Sequence, residues 1–424
     1  MKKIKLLVVS DDIRYFTGVG IQCEKLLRGL HKKGIYDIVE IAGSLIPQSN
    51  EPVIYHGIKL YPISDGYGNP GVFREIFARE KPDIVLTFSD PRFFSYLYVL
   101  DNEIRKFSKL ISYHTWDSDP FPNFNLPWYS ACDEVVLISN FSYNLMKSHG
   151  VPCHCIPHGI DPTEFYPLSS QQVQIERQKI FKQAKNPDLD FIILWNNRNI
   201  PRKRAADVIN IFREFSKTHE NSLLFMHTQP NDPEGTNLFS IIDDINVTDA
   251  PIMLSTSSQP SNVLNALYNC ADVTLNIAFN EGFGLCISES LCAGTPVICT
   301  RTGGMTEQAS KKIHHEEFKD PVTGNVYPEY DEIQEFGKVL HPSVRSLYGN
   351  PQFPYIYGDY VGDHDVIRAL DFAYHNSLDW KQKGLAGRDH IIENFHTDTT
   401  IDNWHKLLQQ TMGNPSTYRK WKFL

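Results

Sequence analysis

Short apolar runs alternate with amphipathic segments along the first part of the chain. The run at 3–10 ends in polar residues, as is typical of a buried parallel strand. A loop with glycines at 17–20 and a helical pattern over 21–33 follow it. The pattern then predicts further elements of both kinds, with strands at 37–42, 83–87, 109–113 and 134–139 and helices at 71–79 and 140–149. Strands that alternate with helices predict a parallel sheet covered on both faces.

The alternation starts again after a turn-rich segment at 157–162, which we interpret as a connection between domains. A polar segment at 168–190 leads to a second set of elements, with strands at 191–195, 222–227, 271–277 and 296–300 and helices at 205–218 and 284–293. The sequence therefore predicts two doubly wound α/β domains, 1–160 and 161–396. Because such domains bind ligands beyond the carboxyl ends of their strands, we expect a site in a cleft between them.

Size and composition agree with this division. A chain of 424 residues exceeds what one hydrophobic core usually organises, and 41% hydrophobic with 21% charged residues is ordinary for a globular protein. The net charge of -9 opposes a dominant nucleic-acid role, and no apolar run reaches the roughly 18 residues that span a bilayer. Eight scattered cysteines, several of them inside apolar runs, suit reduced thiols, so we expect a cytoplasmic protein.

The first candidate motif is Thr17-Gly18-Val19-Gly20, which lies between the first predicted strand and the first predicted helix. Backbone N–H groups at such a helix start can face an anion. The alternative is a tight turn that needs glycine for positive φ, and this short motif does not decide between the two.

The second candidate is the basic segment WNNRNIPRKR, which follows the predicted strand at 191–195. Arg198 and Lys203 lie where a doubly wound sheet binds its ligand. Guanidinium binds oxygens in a bidentate way and ammonium acts as a point charge, so the two suit a diphosphate. A solvated basic loop that opens a helix is the alternative.

The third candidate is NEGFGLCISE, with two acids around a glycine turn. Gly282 and Gly284 permit a turn before a helix whose amino end favours phosphate. Glu281 lies on the loop and Glu289 lies in the early turns of the helix. Carboxylates accept hydrogen bonds from vicinal hydroxyl pairs, so one acid can hold a sugar and the other a ribose, with a diphosphate between them.

The segment EGFGLCISE and the downstream AGTPVICTRTGGMTE resemble the nucleotide-sugar motif of family-4 retaining glycosyltransferases, the glycosyl transferases group 1. Further matches are TGVG, YHTW around His114, CIPHGIDPTEF and NRNIPRK, which occur in the family's order. The resemblance implies the α/β GT-B fold, in which two Rossmann-like doubly wound domains face each other across a cleft. It also implies that 397–424 forms a C-terminal helix and tail that pack back on the first domain.

The resemblance implies a role for each matching residue. Glu281 contacts hydroxyls of the donor sugar, Glu289 holds the ribose, and Arg198 and Lys203 neutralise the diphosphate. Gly18 and Gly20 match a loop that closes over the donor, and His114 matches an active-site histidine. The backbone groups that touch sugar and phosphates are those of Phe283, Gly284 and Leu285.

The implied reaction moves a sugar from a nucleotide-diphosphate sugar to a hydroxyl of a glycan, a lipid or another acceptor, with retention at the anomeric carbon. No cofactor and no metal are expected in catalysis. Asp117-Ser118-Asp119 also spells the triplet with which a different glycosyltransferase fold holds manganese. Aromatic loops at 44–67 and 117–129 are candidate acceptor sites, and the aromatic segment 352–363 looks like an addition to the second domain.

Two other readings remain open at this point. One is a non-catalytic, two-lobed protein that binds a sugar or a nucleotide sugar, and the other is a sugar-nucleotide epimerase on the same fold. The tail at 418–423 mixes cations with aromatic residues, which is typical of contacts with a membrane interface or a nucleic acid, and of these two we expect peripheral contact with a membrane surface. Transfer to a nucleobase is unsupported by the net charge.

Overall fold

The computed structural model of the protein describes residues 3–44, 46–182, 189–244, 250–319, 326–351 and 353–414. They form two compact units. The first unit takes its described residues from Met1–Gly159, Leu347–Tyr357 and Phe395–Leu424, and the second takes them from Ile160–Ser346 and Gly358–Asn394. The chain first passes from one unit to the other after Gly159, inside the turn-rich segment at 157–162.

The first unit is built on an eight-stranded sheet. Its strands are β1 Ile4–Asp11, β2 Tyr36–Gly43, β3 Val53–Tyr55, β4 Ile58–Pro62, β5 Ile84–Ser89, β6 Lys109–His114, β7 Glu134–Leu137 and β8 His154–Cys155. The strand order is β3-β4-β2-β1-β5-β6-β7-β8. All neighbours pair in parallel except β3 and β4. The strand order reverses between β1 and β5, as in a doubly wound sheet.

Six helices accompany these strands, namely α1 Gly18–Lys32, α2 Pro70–Glu80, α3 Ser95–Val99, α4 Asp101–Ile104, α5 Leu126–Ala131 and α6 Asn140–Ser148. The glycine motif differs from the predicted loop, because Gly18 and Gly20 lie in the first turn of α1. Thr17 caps this helix, and its Oγ1 accepts a hydrogen bond from Gly20 N at 2.9 Å. Neither glycine has positive φ. At Gly20 a Cβ would lie 2.8 Å from the Tyr15 carbonyl oxygen, so lack of space excludes a side chain.

The second unit is built on a six-stranded sheet. The strands of the second unit are β9 Phe191–Asn196, β10 Ser222–His227, β11 Ile252–Ser255, β12 Val273–Asn276, β13 Val297–Thr300, β14 Ser310–His315, β15 Phe318–Lys319, β16 Val326–Tyr327, β17 Tyr330–Glu335 and β18 Gly337–Leu340. The main sheet has the order β11-β10-β9-β12-β13-β18 with parallel pairing throughout. β14 pairs with β17 and β15 with β16 in two small antiparallel sheets.

Its helices are α7 Ser170–Ile180, α8 Ala205–Ser216, α9 Leu238–Asp244, α10 Ser261–Cys270, α11 Leu285–Cys292, α12 Met305–Ala309, α13 Asp363–His375 and α14 Ser377–Asn394. The polar segment predicted only as a connection contains α7. This helix begins with a capping box formed by Ser169 and Gln172, and none of its residues is buried. Because it has no buried apolar stripe, the periodicity of the sequence did not reveal it.

Two later segments belong to the first unit. Strands β19 Val344–Tyr348 and β20 Ile356–Tyr360 form a two-stranded sheet, and residues 347–357 of this segment group with the first unit. There Tyr357 N donates to the Asp119 carbonyl oxygen at 2.8 Å. The last helix, α15 Thr397–Gly413, also packs on this unit, where the Trp404 ring lies 4.9 Å from the Tyr113 ring.

Each unit has its own hydrophobic core between its sheet and its helices. In the first unit, the core contains Leu7, Val85 and Leu110 of the sheet together with Ile356. In the second unit, the core contains Phe191 and Trp195 of β9 together with Phe212 and Phe215 of α8. Among the described residues, none of the helices combines the length and the apolar character that crossing a membrane requires. The tail at 418–423, with its predicted membrane contact, lies outside the described residues.

Candidate active site

Two loops follow neighbouring strands at the carboxyl edge of the second sheet. β9 ends at Asn196 and β12 ends at Asn276, and these strands pair where the strand order reverses. Doubly wound domains bind their ligands beyond the carboxyl ends of strands at this position. Lys203 lies in the loop after β9 and Glu281 in the loop after β12. The Lys203 ammonium donates a hydrogen bond to Glu281 Oε2, so the sheet brings together two of the predicted residues.

Lys203 is presented by a short 3₁₀ turn, Pro201–Lys203. The next residue, Arg204, anchors this turn, because its Nε donates to Asp207 at 2.6 Å and its Nη1 to the Val361 carbonyl oxygen at 3.0 Å. The Arg204 guanidinium also lies 4.0 Å from the centre of the Tyr360 ring. Lys203 is 6% exposed and Arg204 is 3% exposed. The anchored turn and the low exposure therefore hold the Lys203 ammonium in a fixed position.

The Glu281 carboxylate also contacts a second cationic side chain, that of Arg202. Arg202 Nη1 lies 3.2 Å from Glu281 Oε2 and donates to the Asn280 carbonyl oxygen at 2.7 Å. The Glu281 carbonyl oxygen accepts a hydrogen bond from Gly304 N at 3.0 Å. A Cβ on Gly304 would lie 2.4 Å from the Gly282 carbonyl oxygen, so only glycine allows these loops to pack this closely. The segment TGGMTE after β13 thus supports the loop that carries Glu281.

Gly284 forms the turn into α11. Its φ of 93° and ψ of 64° lie in the left-handed region, where glycine is favoured over other residues. A Cβ at this position would lie 2.8 Å from Met305 Cγ and 3.1 Å from Glu281 Cγ. Because α11 begins at the next residue, its first N–H groups and the positive end of its dipole lie beside Glu281. This arrangement favours an anion next to the carboxylate.

The Gln308 side chain also stabilises the backbone between Glu281 and α11. Phe283 is 3% exposed, and its carbonyl oxygen accepts a hydrogen bond from Gln308 Nε2. The same amide nitrogen lies 3.2 Å from the Gly304 carbonyl oxygen. Leu285 is half-buried as the first residue of α11. These contacts fix the three positions, Phe283, Gly284 and Leu285, whose backbone groups the resemblance assigns to the donor.

Glu289 takes part in a second polar group on the same helix. Tyr268 Oη donates to Glu289 Oε2 at 2.7 Å, and Asn196 Nδ2 donates to Tyr268 Oη at 2.8 Å. Burial raises the pKa of Tyr268, so its hydroxyl keeps its proton and remains a donor. The sequence reasoning missed Asn196 and Tyr268. Asn196 lies in the segment WNNRNIPRKR and could have been selected from it, whereas Tyr268 lies on α10, which the pattern did not predict.

Arg198 occupies a different environment from Lys203. Its guanidinium makes a bidentate contact with Asp232, at 2.7 and 3.1 Å, and lies 3.1 Å from Glu234. Hydrogen bonding to Arg198 lowers the pKa of Asp232. The side chain is 55% exposed. Within the described residues, the ion pairs of Arg198 go to these two acids and not to Glu281.

His114 lies in the first unit, at the carboxyl end of β6, and it is fully buried. Its Nδ1 lies 3.3 Å from Tyr129 Oη, and among the described residues its Nε2 has no hydrogen-bond partner. Burial lowers the pKa of His114 to about 3, so the ring is neutral near pH 7. A buried neutral imidazole with one unpartnered nitrogen can donate or accept one hydrogen bond to a ligand.

Comparisons with known proteins give matches over most of the chain. The family model described as Glycosyltransferase Family 4 matches residues 16–164, and the model described as Glycosyl transferases group 1 matches residues 176–340. Trehalose synthase from Pyrococcus horikoshii is 30% identical over 233 residues. That match covers 52% of this chain and 52% of the enzyme, so it spans about half the length of that relative.

Solved structures share this fold at low sequence identity. Sucrose-phosphate synthase from Thermosynechococcus elongatus has a TM-score of 0.74 and 13% identity, with 97% of this chain and 100% of that chain covered. The Anabaena protein HepE, in complex with UDP and glucose, has a TM-score of 0.69 and 12% identity, with 96% and 100% covered. These likenesses show the fold. The predicted GT-B class, with two Rossmann-like domains, is therefore confirmed.

Proposed function

Because this chain belongs to the glycosyltransferases of family 4 and group 1, we propose that it transfers a sugar from a nucleotide-diphosphate sugar to an acceptor hydroxyl, with retention at the anomeric carbon. The observation that carries this proposal is the contact of Lys203 with Glu281 beside the amino end of α11. It joins a cation, a carboxylate and a helix start at the edge where a doubly wound sheet binds its ligand.

The proposed diphosphate site uses charges that are already in position. Lys203 and Arg202 both contact Glu281 Oε2. Because Glu281 lies beside the amino end of α11, the two cations are close to that end as well. A diphosphate there would gain charge-assisted hydrogen bonds from the cations and from backbone N–H groups of the first helical turn. Arg198, which the resemblance also assigns to the diphosphate, would have to exchange part of its pairing with Asp232 to take part.

The two acids would hold the hydroxyl-bearing groups on either side of the diphosphate. We assign the donor sugar to Glu281 and the ribose to Glu289. Tyr268 donates to Glu289 and accepts from Asn196, so this pair keeps the Glu289 carboxylate in one orientation. A carboxylate fixed in this way accepts hydrogen bonds from two neighbouring hydroxyl groups with little loss of side-chain entropy.

In the proposed mechanism, the bond between the anomeric carbon and the β-phosphate oxygen breaks as the acceptor oxygen approaches from the same face. The acceptor proton passes to the departing phosphate oxygen, so no protein base is required. Negative charge grows on the diphosphate, and Lys203 together with the α11 amino end stabilises it. Removal of one such preorganised donor typically raises the barrier by about 2.7–4 kcal/mol.

His114 would act from the first unit as a neutral hydrogen-bonding group. Its pKa of about 3 means that it neither carries a charge nor accepts a proton near pH 7. Among the described residues its Nε2 has no hydrogen-bond partner, and pairing with a sugar hydroxyl would require the fully buried ring to become accessible. The proposed acceptor is a glycan, a lipid or another hydroxyl compound. It would be bound by the segment at 44–67, which contains β3 and β4, and the segment at 117–129, which runs into α5. We place the protein in the cytoplasm, supported by eight free cysteines.

The test is turnover of labelled UDP-, ADP- and GDP-sugars with a panel of hydroxyl acceptors and with water. Glu281→Gln and Lys203→Gln are each expected to lower kcat/KM by about 100- to 1,000-fold. Lys217 and Glu214 supply matched controls, because they form an exposed pair at 2.6 Å on the same unit. Lys217→Gln and Glu214→Gln should keep wild-type rates. Turnover that survives within a few fold in Glu281→Gln would refute the assigned role.

The same panel separates the two alternative functions. A binding protein would bind a nucleotide sugar but release neither nucleotide diphosphate nor a glycosylated product with any acceptor. An epimerase would convert the sugar while the nucleotide remained attached. Retention is tested separately, because the anomeric configuration of the product can be read by NMR.

A further inference from the structure

A cluster of two histidines and one aspartate lies in the second unit, apart from the candidate active site. Nitrogen atoms of His219 and His375 and a carboxylate oxygen of Asp371 all lie within 4.8 Å of one another. His219 Nε2 is 3.3 Å and His375 Nε2 is 3.6 Å from Asp371 Oδ1. We propose that these three side chains bind a zinc ion that stabilises the second unit.

The distances suit zinc coordination. Bonds of about 2.0–2.1 Å at tetrahedral angles place neighbouring ligand atoms about 3.3–3.4 Å apart. The distances from Asp371 Oδ1 to the two histidine nitrogens differ from this spacing by a few tenths of an ångström or less. The two histidine nitrogens lie within 4.8 Å of each other, so an ion bound by all three groups requires the two rings to approach the spacing that they already have to Asp371.

The orientation of His219 supports the proposal independently. Its Nδ1 lies 3.0 Å from the Phe215 carbonyl oxygen, which can only accept a hydrogen bond, and 3.0 Å from Thr218 Oγ1. With Nδ1 paired to the backbone, Nε2 is the ring atom that faces Asp371, an arrangement typical of metal-binding histidines. The ring is also stacked on Phe215, with centroids 4.0 Å apart and planes 5° apart, and contacts the edge of Tyr374 at 4.6 Å.

The other two ligands come from one face of a helix. Asp371 and His375 are four residues apart on α13, so their side chains are neighbours. They are 52% and 63% exposed, which leaves the site open to an ion from solvent and to a water as fourth ligand. Two imidazoles and one carboxylate suit zinc better than calcium or magnesium, which prefer oxygen ligands.

The position of the cluster indicates a stabilising role. The Phe191 ring, at the amino end of β9, lies 5.5 Å from Tyr374 and 6.0 Å from Phe215. The site is therefore at the opposite end of β9 from the loop that carries Lys203. An ion there would join the connection after α8 to the carboxyl end of α13 and close a long loop of chain.

The test is titration of the metal-free protein with Zn²⁺ by calorimetry, with thermal unfolding measured in parallel. We expect a stoichiometry of one and a higher Tm with Zn²⁺. Asp371→Ala and His375→Gln should weaken binding by more than about 100-fold, since loss of outer partners alone costs 10- to 100-fold. His364→Gln is the matched control, because His364 is an exposed histidine in the first turn of α13, and it should bind like the wild type.

Cobalt provides a readout that does not depend on stability. Co²⁺ at this site should give the visible absorption bands of a four-coordinate ion, and these bands should disappear in Asp371→Ala. Equal Zn²⁺ affinity in the wild type and in both ligand variants would mean that any binding occurs elsewhere, and this result would overturn the proposal. Absence of binding to the wild type would overturn it as well.

Discussion

Replacement of Lys203 by methionine removes one charge of a nearly buried ion pair. The Lys203 and Glu281 side chains are 8% and 12% exposed. Loss of one partner of a buried pair typically costs about 3–5 kcal/mol, because the remaining charge is left in a poorly solvated place. Arg202 Nη1 stays 3.2 Å from the same carboxylate oxygen and compensates in part. We therefore expect Lys203→Met to lower the unfolding free energy by about 3 kcal/mol, the lower end of that range.

The magnitude of the pairing itself follows from a double-mutant cycle. Glu281→Gln should also lower the unfolding free energy by about 3 kcal/mol. The loss in the double variant should be about 2 kcal/mol smaller than the sum of the two single losses. The same cycle on Lys217 and Glu214, which are 62% and 38% exposed, should give a coupling of about 0.2–1 kcal/mol. Both pairs lie in the second unit, so the two cycles report on the same unfolding transition.

The assay is urea unfolding followed by far-UV circular dichroism at one pH and ionic strength. A coupling for Lys203 and Glu281 no larger than that of the exposed pair would refute the reasoning. It would mean that the ammonium and the carboxylate are solvated independently, and the preorganised diphosphate site would lose its basis. Added salt should reduce the coupling of the exposed pair more than that of the buried pair.

Three further predictions concern single positions. Gly284→Ala should lower the unfolding free energy by about 2–4 kcal/mol, because φ is +93° and a Cβ would lie 2.8 Å from Met305 Cγ; wild-type stability in urea unfolding would contradict this. Burial raises the pKa of Glu40 well above its usual 4.5, so its contribution to stability is present below pH 4.5 and is lost at about 1.4 kcal/mol per pH unit as the pH rises toward the folded-state pKa. Glu40→Gln should remove that slope from urea unfolding between pH 4 and 8, and parallel curves would show that the carboxyl ionises freely. Tyr268→Phe removes the donor to Glu289 and should raise the Kd of the nucleotide about 10-fold by calorimetry, whereas an unchanged Kd would separate Glu289 from the ribose.

Much of the fold could be predicted from the sequence because its buried strands are continuous apolar runs. The strand predicted at 222–227 is β10, and the helix predicted at 205–218 is α8, two residues shorter. The prediction failed where burial is slight or where apolar runs are short. α7 has no buried face, and β3 spans only three residues.

The residues of the candidate active site could likewise be predicted only in part. The loops of Lys203 and Glu281 could be selected from local motifs, and the contact of the two side chains follows from the pairing of β9 with β12. The pairing of Arg198 with Asp232 could not be predicted, because that acid lies 34 residues away in a loop without a motif. Tyr268 was missed for a related reason, since its role depends on how α10 packs and not on its neighbours in sequence.

The division of the chain into interleaved segments determines the order in which the units can fold during synthesis. The second unit has all its residues once Asn394 has been made, whereas the first unit still lacks its last segment at that point. At 5–20 residues per second, the residues between Gly159 and Trp404 take roughly 10–50 s to appear. During this interval the nascent first unit lacks the indole that covers Tyr113, so chaperones on the ribosome have a defined apolar surface to protect.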